Sequence, residues 1–346
     1  MRKYLYLFAL LPFITISMEL SAQKVYAPIC TPEEQQLSVT FIQEIGGFCN
    51  ISKETSSGNW FASCKSASIS WKPLDKKFAV SPDGKCYALI SSPGFIKLYN
   101  ADPTVPYEEI TIEQNGRRIK TNRKLLPFEY PLFIVGSAET FTWGTDNKLY
   151  VESERGVFSV TIGEKPLAQK IQITQIGTPV YCQANNTLYY NRYGHIYEYN
   201  IKDHTEVELC SGSNLTVSGE YLYYMRGTDE HSEIWRRNVM AGNEEKILSS
   251  IEHAFTNPSI SPDGKWIICE GNAISPLSKK QNLDIFIAKT DGSNLKQITN
   301  HPANDAHPVW QKDGKHIYFM SLRGKKYNKK YVSYSLFSMD ISSFMK

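Results

Sequence analysis

Apolar positions along this chain fall in short runs divided by tight-turn sequences, and that rhythm sets the fold. The clearest unit starts at Pro258 with Pro-Ser-Ile-Ser-Pro-Asp-Gly-Lys-Trp-Ile-Ile. It continues through Asp284-Ile-Phe-Ile-Ala and ends in Thr290-Asp-Gly-Ser-Asn-Leu-Lys-Gln-Ile-Thr299. In Ser261-Pro262-Asp263-Gly264 the proline presets φ, the aspartate bonds the backbone just ahead of it, and the glycine supplies a positive φ. Lys265–Cys269 and Ile285–Ala288 predict strands, Asp291-Gly292 a hairpin turn, and Leu295–Thr299 a fourth strand. Four short antiparallel strands in roughly 45 residues make one blade of a propeller.

The same order recurs. Ser81-Pro82-Asp83-Gly84 precedes Lys85-Cys-Tyr-Ala-Leu-Ile and then Phe95-Ile-Lys-Leu-Tyr. Thr145-Asp146-Asn147, Asn185-Asn186, Ser218-Gly219 and Gln311-Lys312-Asp313-Gly314 each precede a comparable pair of strands. Six such units predict an all-β, six-bladed β-propeller. The last unit has a strand over Tyr334–Ile341 but only Ser342–Lys346 beyond it, too little for a fourth strand. An N-terminal strand is therefore expected to close the ring, from Leu37–Ile42 or Trp60–Ser66, since an incomplete ring leaves an exposed edge. The long connection Pro103–Ala138 is read as a strand over Glu109–Ile112 plus an extended loop.

Pro-x-x-Ser-Pro-Asp-Gly-Lys followed by Gln-Ile-Thr resembles the TolB-type, WD40-like repeat called PD40. Residues 253–324 carry the resemblance best, 78–99 fairly well, and roughly 137–250 in pattern only. The Gly-His and Trp-Asp marks of true WD40 repeats are missing. The resemblance implies a TolB-like propeller over residues 76–346. TolB proteins carry an α/β domain ahead of the propeller, whereas here only residues 23–75 are left to supply the closing strand. That domain is expected to be absent or much reduced, which weakens any transfer of TolB's role in envelope maintenance.

The N-terminus adds an export expectation. Met1-Arg2-Lys3 is basic, Tyr4–Ile16 is almost wholly apolar, and Ser17–Gln23 is polar with small residues. That is the order of a secretory signal peptide, here assigned to residues 1–22 with cleavage after Ala22. The apolar run is shorter than the about 20 residues a membrane-spanning helix takes. The mature protein is expected to be periplasmic or secreted, with no membrane span. Apolar residues at 41%, 12% of the chain being aromatic, are enough for a core. The net charge of +3 is spread out, and the clusters Arg117–Lys124 and Arg323–Lys330 lack the aromatic interleaving of a nucleic-acid site. Cys30, Cys49, Cys64, Cys86, Cys182, Cys210 and Cys269 are odd in number and form no C-x-x-C pair. They read as mostly buried thiols, with one bridge among the first three.

Candidate chemistry concentrates where the innermost strands begin. Asn257 and His307 each precede a matching proline, Pro258 and Pro308, and Lys77 and Thr140 fall at the equivalent place in the first two units. His301, Asp305 and His253 lie in the loops leading in. This channel mouth is the candidate ligand-binding site. His301-Pro-Ala-Asn-Asp-Ala-His307 has two histidines and an aspartate but no third histidine nearby, so its spacing alone does not define a metal site. Propeller lyases built of similar repeats hold metal on channel histidines, which keeps that chemistry open by resemblance. Asp291-Gly292-Ser293-Asn294 lacks the spaced acids of an EF-hand, and Cys210-Ser-Gly-Ser-Asn is not a nucleophile elbow. Asp83, Asp263 and Asp313 repeat in register at turns, which argues structure. No cofactor is named by the sequence. Two functions compete: a non-catalytic module for a protein or peptide partner, or a saccharide, in the cell envelope, and a metal-dependent saccharide lyase or hydrolase with its site near His307.

Overall fold

The computed structural model describes residues 34, 37–44, 78–91, 95–105, 108–114, 116–123, 138–163, 167–173, 180–182, 185–228, 230–274, 281–323 and 334–346. Among the described residues there are 25 β-strands and no α-helix. After β1 (Thr40–Glu44), the first blade is β2 (Phe78–Val80), β3 (Cys86–Ser91) and β4 (Phe95–Asn100). A separate hairpin follows, β5 (Glu109–Gln114) and β6 (Arg117–Asn122), turning at Gly116 with φ +70°. The second blade is β7 (Ala138–Trp143), β8 (Lys148–Ser153), β9 (Gly156–Thr161) and β10 (Leu167–Ile171). The third is β11 (Val180–Cys182), β12 (Thr187–Arg192), β13 (His195–Asn200) and β14 (Thr205–Ser211). The fourth is β15 (Ser213–Ser218), β16 (Tyr221–Gly227), β17 (Ser232–Asn238) and β18 (Glu244–Leu248). The fifth is β19 (Phe255–Ile260), β20 (Trp266–Ile274), β21 (Gln281–Lys289) and β22 (Lys296–Gln297). The sixth joins β23 (Asp305–Trp310), β24 (His316–Ser321) and β25 (Ser335–Asp340) to β1.

The first strands of successive blades touch in a cycle: β2 on β7, β7 on β11, β11 on β15, β15 on β19, β19 on β23, and β23 back on β2. That cycle is the six-bladed ring. The repeated turns make each blade. Gly84 and Gly264 take φ of +70° and +72°, and their N–H groups donate to Ser81 O and Ser261 O. Ser81 and Ser261 hydroxyls bond Asp83 and Asp263 at 2.6 Å, and each aspartate also accepts the next lysine's N–H. The recurring aspartates are turn residues.

The ring closes through β1, which runs antiparallel to β25 with Thr40 opposite Ser338 and Phe41 opposite Phe337. The expected segment Leu37–Ile42 is thus the closing one, displaced toward Glu44 because Ser38 sits at φ +47° and interrupts the extended backbone. Leu37 instead enters the core formed with Trp310, Phe319 and Phe337. The other candidate, Trp60–Ser66, lies outside the described residues, as do residues 1–22, Cys30, Cys49 and Cys64. Just upstream of β1, the Glu34 carboxylate accepts from Arg323 Nη1 at 3.0 Å and from Asn300 N–H at 3.0 Å. Arg323 and Glu34 are buried, as is Asp305, the second carboxylate on that guanidinium.

Apolar seams between blades form the core. Phe78 and Tyr87 of the first blade pack on Tyr318 of the sixth at 5.9 Å each. Polar stitches cross the same seams: Tyr318 OH to Ala101 O, Trp310 Nε1 to Ser259 O, and Ser232 Oγ to Phe255 O. Two expectations shift. The connection expected to hold one strand is the hairpin β5–β6. The strand expected over Leu295–Thr299 narrows to Lys296–Gln297 because the Thr299 hydroxyl, rather than a backbone carbonyl, accepts the Ile285 N–H at 2.9 Å. Cys86, Cys182, Cys210 and Cys269 are free thiols.

Arg323→Ala leaves two buried carboxylates facing each other without a cation. Loss of one partner from such a group costs about 3–5 kcal/mol, and urea unfolding is expected to show a loss of that size. A loss below about 1 kcal/mol would show that the closure does not depend on this ion pair.

Candidate functional site

The first strands of the last three blades share a backbone irregularity. Their ladders slip between Ser213 and Thr216, between Thr256 and Ser259, and between Ala306 and Val309. Within each slip one residue is left-handed: Asn214 at φ +47°, Asn257 at +50° and His307 at +50°. Asparagine and histidine are among the non-glycine residues that enter this region most readily. A bulge of this kind twists the strand and re-aims a side chain. In the second blade β7 slips between Ala138 and Thr140 without a left-handed residue, and Thr140 is buried. Lys77 lies outside the described residues.

Two of these bulges, at Asn257 and His307, converge on Glu270 of β20. The Asn257 amide donates to Glu270 Oε1 at 2.7 Å from within the same blade, and the His307 N–H donates to that oxygen at 2.6 Å from the next blade. His307 Nδ1 lies 3.7 Å from Oε1. Glu270 is 3% exposed and His307 7% exposed, so the group sits almost wholly inside the seam. Burial pushes the Glu270 carboxyl up to about 7, with the two hydrogen bonds pulling the other way. One blade earlier, the Asn214 amide donates to Thr256 Oγ1 at 2.7 Å and ties the fourth blade to the fifth.

His301 and Asp305 belong to a different, deeper group. His301 is fully buried; its Nδ1 accepts from Ala303 N–H at 2.9 Å and its carbonyl accepts from Asn282 Nδ2 at 2.7 Å. Asp305 is fully buried against Arg323. Asp284 accepts from Thr299 Oγ1 at 3.1 Å and Gln297 Nε2 at 3.0 Å. Burial, and next the charge of Asp305, push the Asp284 carboxyl up to about 9. Burial likewise raises Asp305 against the pull of Arg323. The structure therefore separates the sequence candidates. Asn257 and His307 meet at Glu270, while His301 and Asp305 join the ring-closing group. His253, in the loop before β19, donates from Nδ1 to Asn272 O at 2.7 Å. Among the described residues no set of three or more His, Cys, Asp or Glu is arranged to hold a metal ion.

Glu270, Asn214, Arg323 and Glu34 are among the residues of these groups that escaped the sequence analysis. Glu270 left a signal, a lone charge ending the apolar run Trp266–Cys269. Asn214 precedes Leu215 as Asn257 precedes Pro258, a register legible only once the turns are aligned. Arg323 opens the basic cluster Arg323–Lys330, which masks it, and Glu34 carries no local mark.

Residues 198–331 match the family model PD40, TolB beta propeller domain. Over that stretch the sequence is similar to the PD40 repeat. Among curated proteins, the chain is 38% identical over 66 residues to Dipeptidyl-peptidase 5 of Porphyromonas gingivalis, a match spanning 19% of this chain and 10% of that protein's length. Among solved structures it resembles TolB from Acinetobacter baumannii, at TM-score 0.47 and 15% identity over 68% of this chain and 56% of that one. It also resembles oligogalacturonate lyase from Vibrio parahaemolyticus, at TM-score 0.48 and 10% identity over 77% of each chain.

The raised carboxyls predict a pH profile. A folded state that holds a proton the unfolded chain has released becomes less stable as pH rises through that window. For Glu270 the window runs from its ordinary value of 4.5 to about 7, and for Asp284 from 3.8 to about 9. The melting temperature of Glu270→Gln is expected to fall less than that of the wild type across the first window. Asp284→Asn is expected to flatten the decline that continues toward pH 9. Superimposable profiles for wild type and both variants would contradict these assignments.

Proposed function

We propose that this PD40 propeller is an exported, non-catalytic module that holds a protein or peptide at the end of the ring where the first strands begin. The observation that carries this reading is the row of left-handed, non-glycine residues Asn214, Asn257 and His307 on three adjacent first strands. Backbone held in a sparsely populated region costs about 1–3 kcal/mol per residue and tends to persist at ligand sites, where the scaffold over-determines it. Here the scaffold is the seam itself, and the side chains it fixes are hydrogen-bonding groups rather than a reactive constellation. The likeness to Dipeptidyl-peptidase 5 supports peptides as the ligand class. Export rests on the basic start and apolar run of residues 1–16, and places the module in the periplasm or outside the cell.

A second reading draws on one observation. A carboxyl raised to about 7 beside a histidine ring is the chemistry of a general acid–base pair, as a lyase or hydrolase on saccharides would need, with metal held near His307.

Panning a displayed random-peptide library on the purified protein separates the two. Enrichment of a sequence motif on the wild type, lost in Asn257→Ala/His307→Ala, is the expected result. No enrichment, together with divalent-metal-dependent cleavage of uronic-acid oligosaccharides that Glu270→Gln abolishes, would replace the binding module with the enzyme.

A further inference from the structure

Glu270 is a buried carboxylate whose charge no cation balances among the described residues. Its Oε1 is fully engaged, taking the Asn257 amide and the His307 N–H, while among the described residues no donor reaches Oε2. Among the described residues no lysine or arginine contributes to its environment; burial dominates, and the two neutral hydrogen bonds only partly offset it. The contrast lies one strand away in the same seam, where Asp305 has Arg323 pressed against it. Leaving a carboxylate buried without a cation is expensive, and proteins normally avoid it by pairing. The side chain is also held from two blades at once, so its free oxygen has a fixed position relative to the ring.

We propose that Glu270 is the anchor for a protonated primary amine, the N-terminus or a lysine side chain of the peptide assigned above. This rests on the peptide-binding reading and sharpens it. An ammonium group supplies the missing charge and three N–H donors, one of which takes Oε2, and transfer of its charge into the seam draws Glu270 to its ionised form. Asn257 and His307 hold the carboxyl in place from the opposite side through Oε1. Among the described residues the ionisable group facing Glu270 is His307 on β23; Cys269 adjoins it on the opposite face of β20, and β19 contributes the neutral Asn257. Protonation of His307 would compete for the same carboxylate, so it acts in the same direction as protonation of Glu270.

The test uses two probes on the purified full-length protein: propylammonium, and the library-selected peptide in free, N-acetylated and lysine-to-norleucine forms. Tetramethylammonium at equal ionic strength controls for screening, since it has charge but no N–H donor. Propylammonium is expected to raise the wild-type melting temperature where tetramethylammonium does not, by mass action on the native state. Peptide affinity is expected to drop about tenfold or more when the amine is blocked or Glu270 becomes Gln. In the wild type alone, affinity is expected to rise with pH up to about 7 and then level off, a readout that does not depend on any variant folding. Peptides that bind with no dependence on their amines or on Glu270 would overturn the anchor and leave the binding module standing. Propylammonium stabilisation lost in Glu270→Gln, with no peptide selected, would keep the anchor and remove the peptide reading. No effect of either probe overturns the anchor.

Discussion

A propeller is a closed chain of sheets, and everything else in this molecule depends on how that closure is made. The sixth blade has three strands from one end of the chain and its fourth, β1, from the other. Without β1 the backbone edge of β25 would be open to any passing strand. The pairing is reinforced by Glu34, 289 residues away from Arg323 in sequence and within 3.0 Å of it in space. Burying a guanidinium costs several kcal/mol of hydration per ion, which the Coulomb attraction of two carboxylates and the added hydrogen bonds must offset. The group therefore acts as a geometric lock, stable only when both ends of the chain are in register.

The same closure constrains the first strands. They crowd the axis, each touching two neighbours. The bulges at Asn214, Asn257 and His307 release one residue per strand from the ladder, and Asn214 and His307 send a bond across to the neighbouring blade. Tyr318, Trp310 and Ser232 make further ties along the seams. The bonds of Asn214 and His307 across the seams and the backbone strain thus have one origin, which is why the candidate site lies on a seam rather than in an isolated loop.

Local chemistry made the ring legible in the sequence. Ser-Pro-Asp-Gly turns fix φ and hydrogen bonds within four residues, so their recurrence could be read without any structure, and Asn257 and His307 followed by aligning them. What could not be read depended on distance. Glu34 and Arg323 meet only when the ring closes, so a short stretch around either one shows an ordinary surface charge. His301 lies in the loop before β23 and Asp305 opens that strand, a stretch whose sequence looks accessible, yet Asn282 and Arg323 hold it inside. The hairpin β5–β6 hid a second strand behind its basic residues Arg117, Arg118 and Lys120.

Asp305 and Glu270, two of the carboxylates buried between the fifth and sixth blades, now set the terms for function. Asp305 is matched to a cation and serves closure; among the described residues Glu270 is matched to an amide and a backbone N–H. If both were structural, the second would be a defect, because an apolar residue of similar size at the end of the Trp266–Cys269 run would bury at no electrostatic cost. Local rules are broken most often at functional sites, where the lost stability is recovered on binding. The unbalanced charge at Glu270, rather than any single histidine, is therefore the feature that a ligand for this ring has to answer.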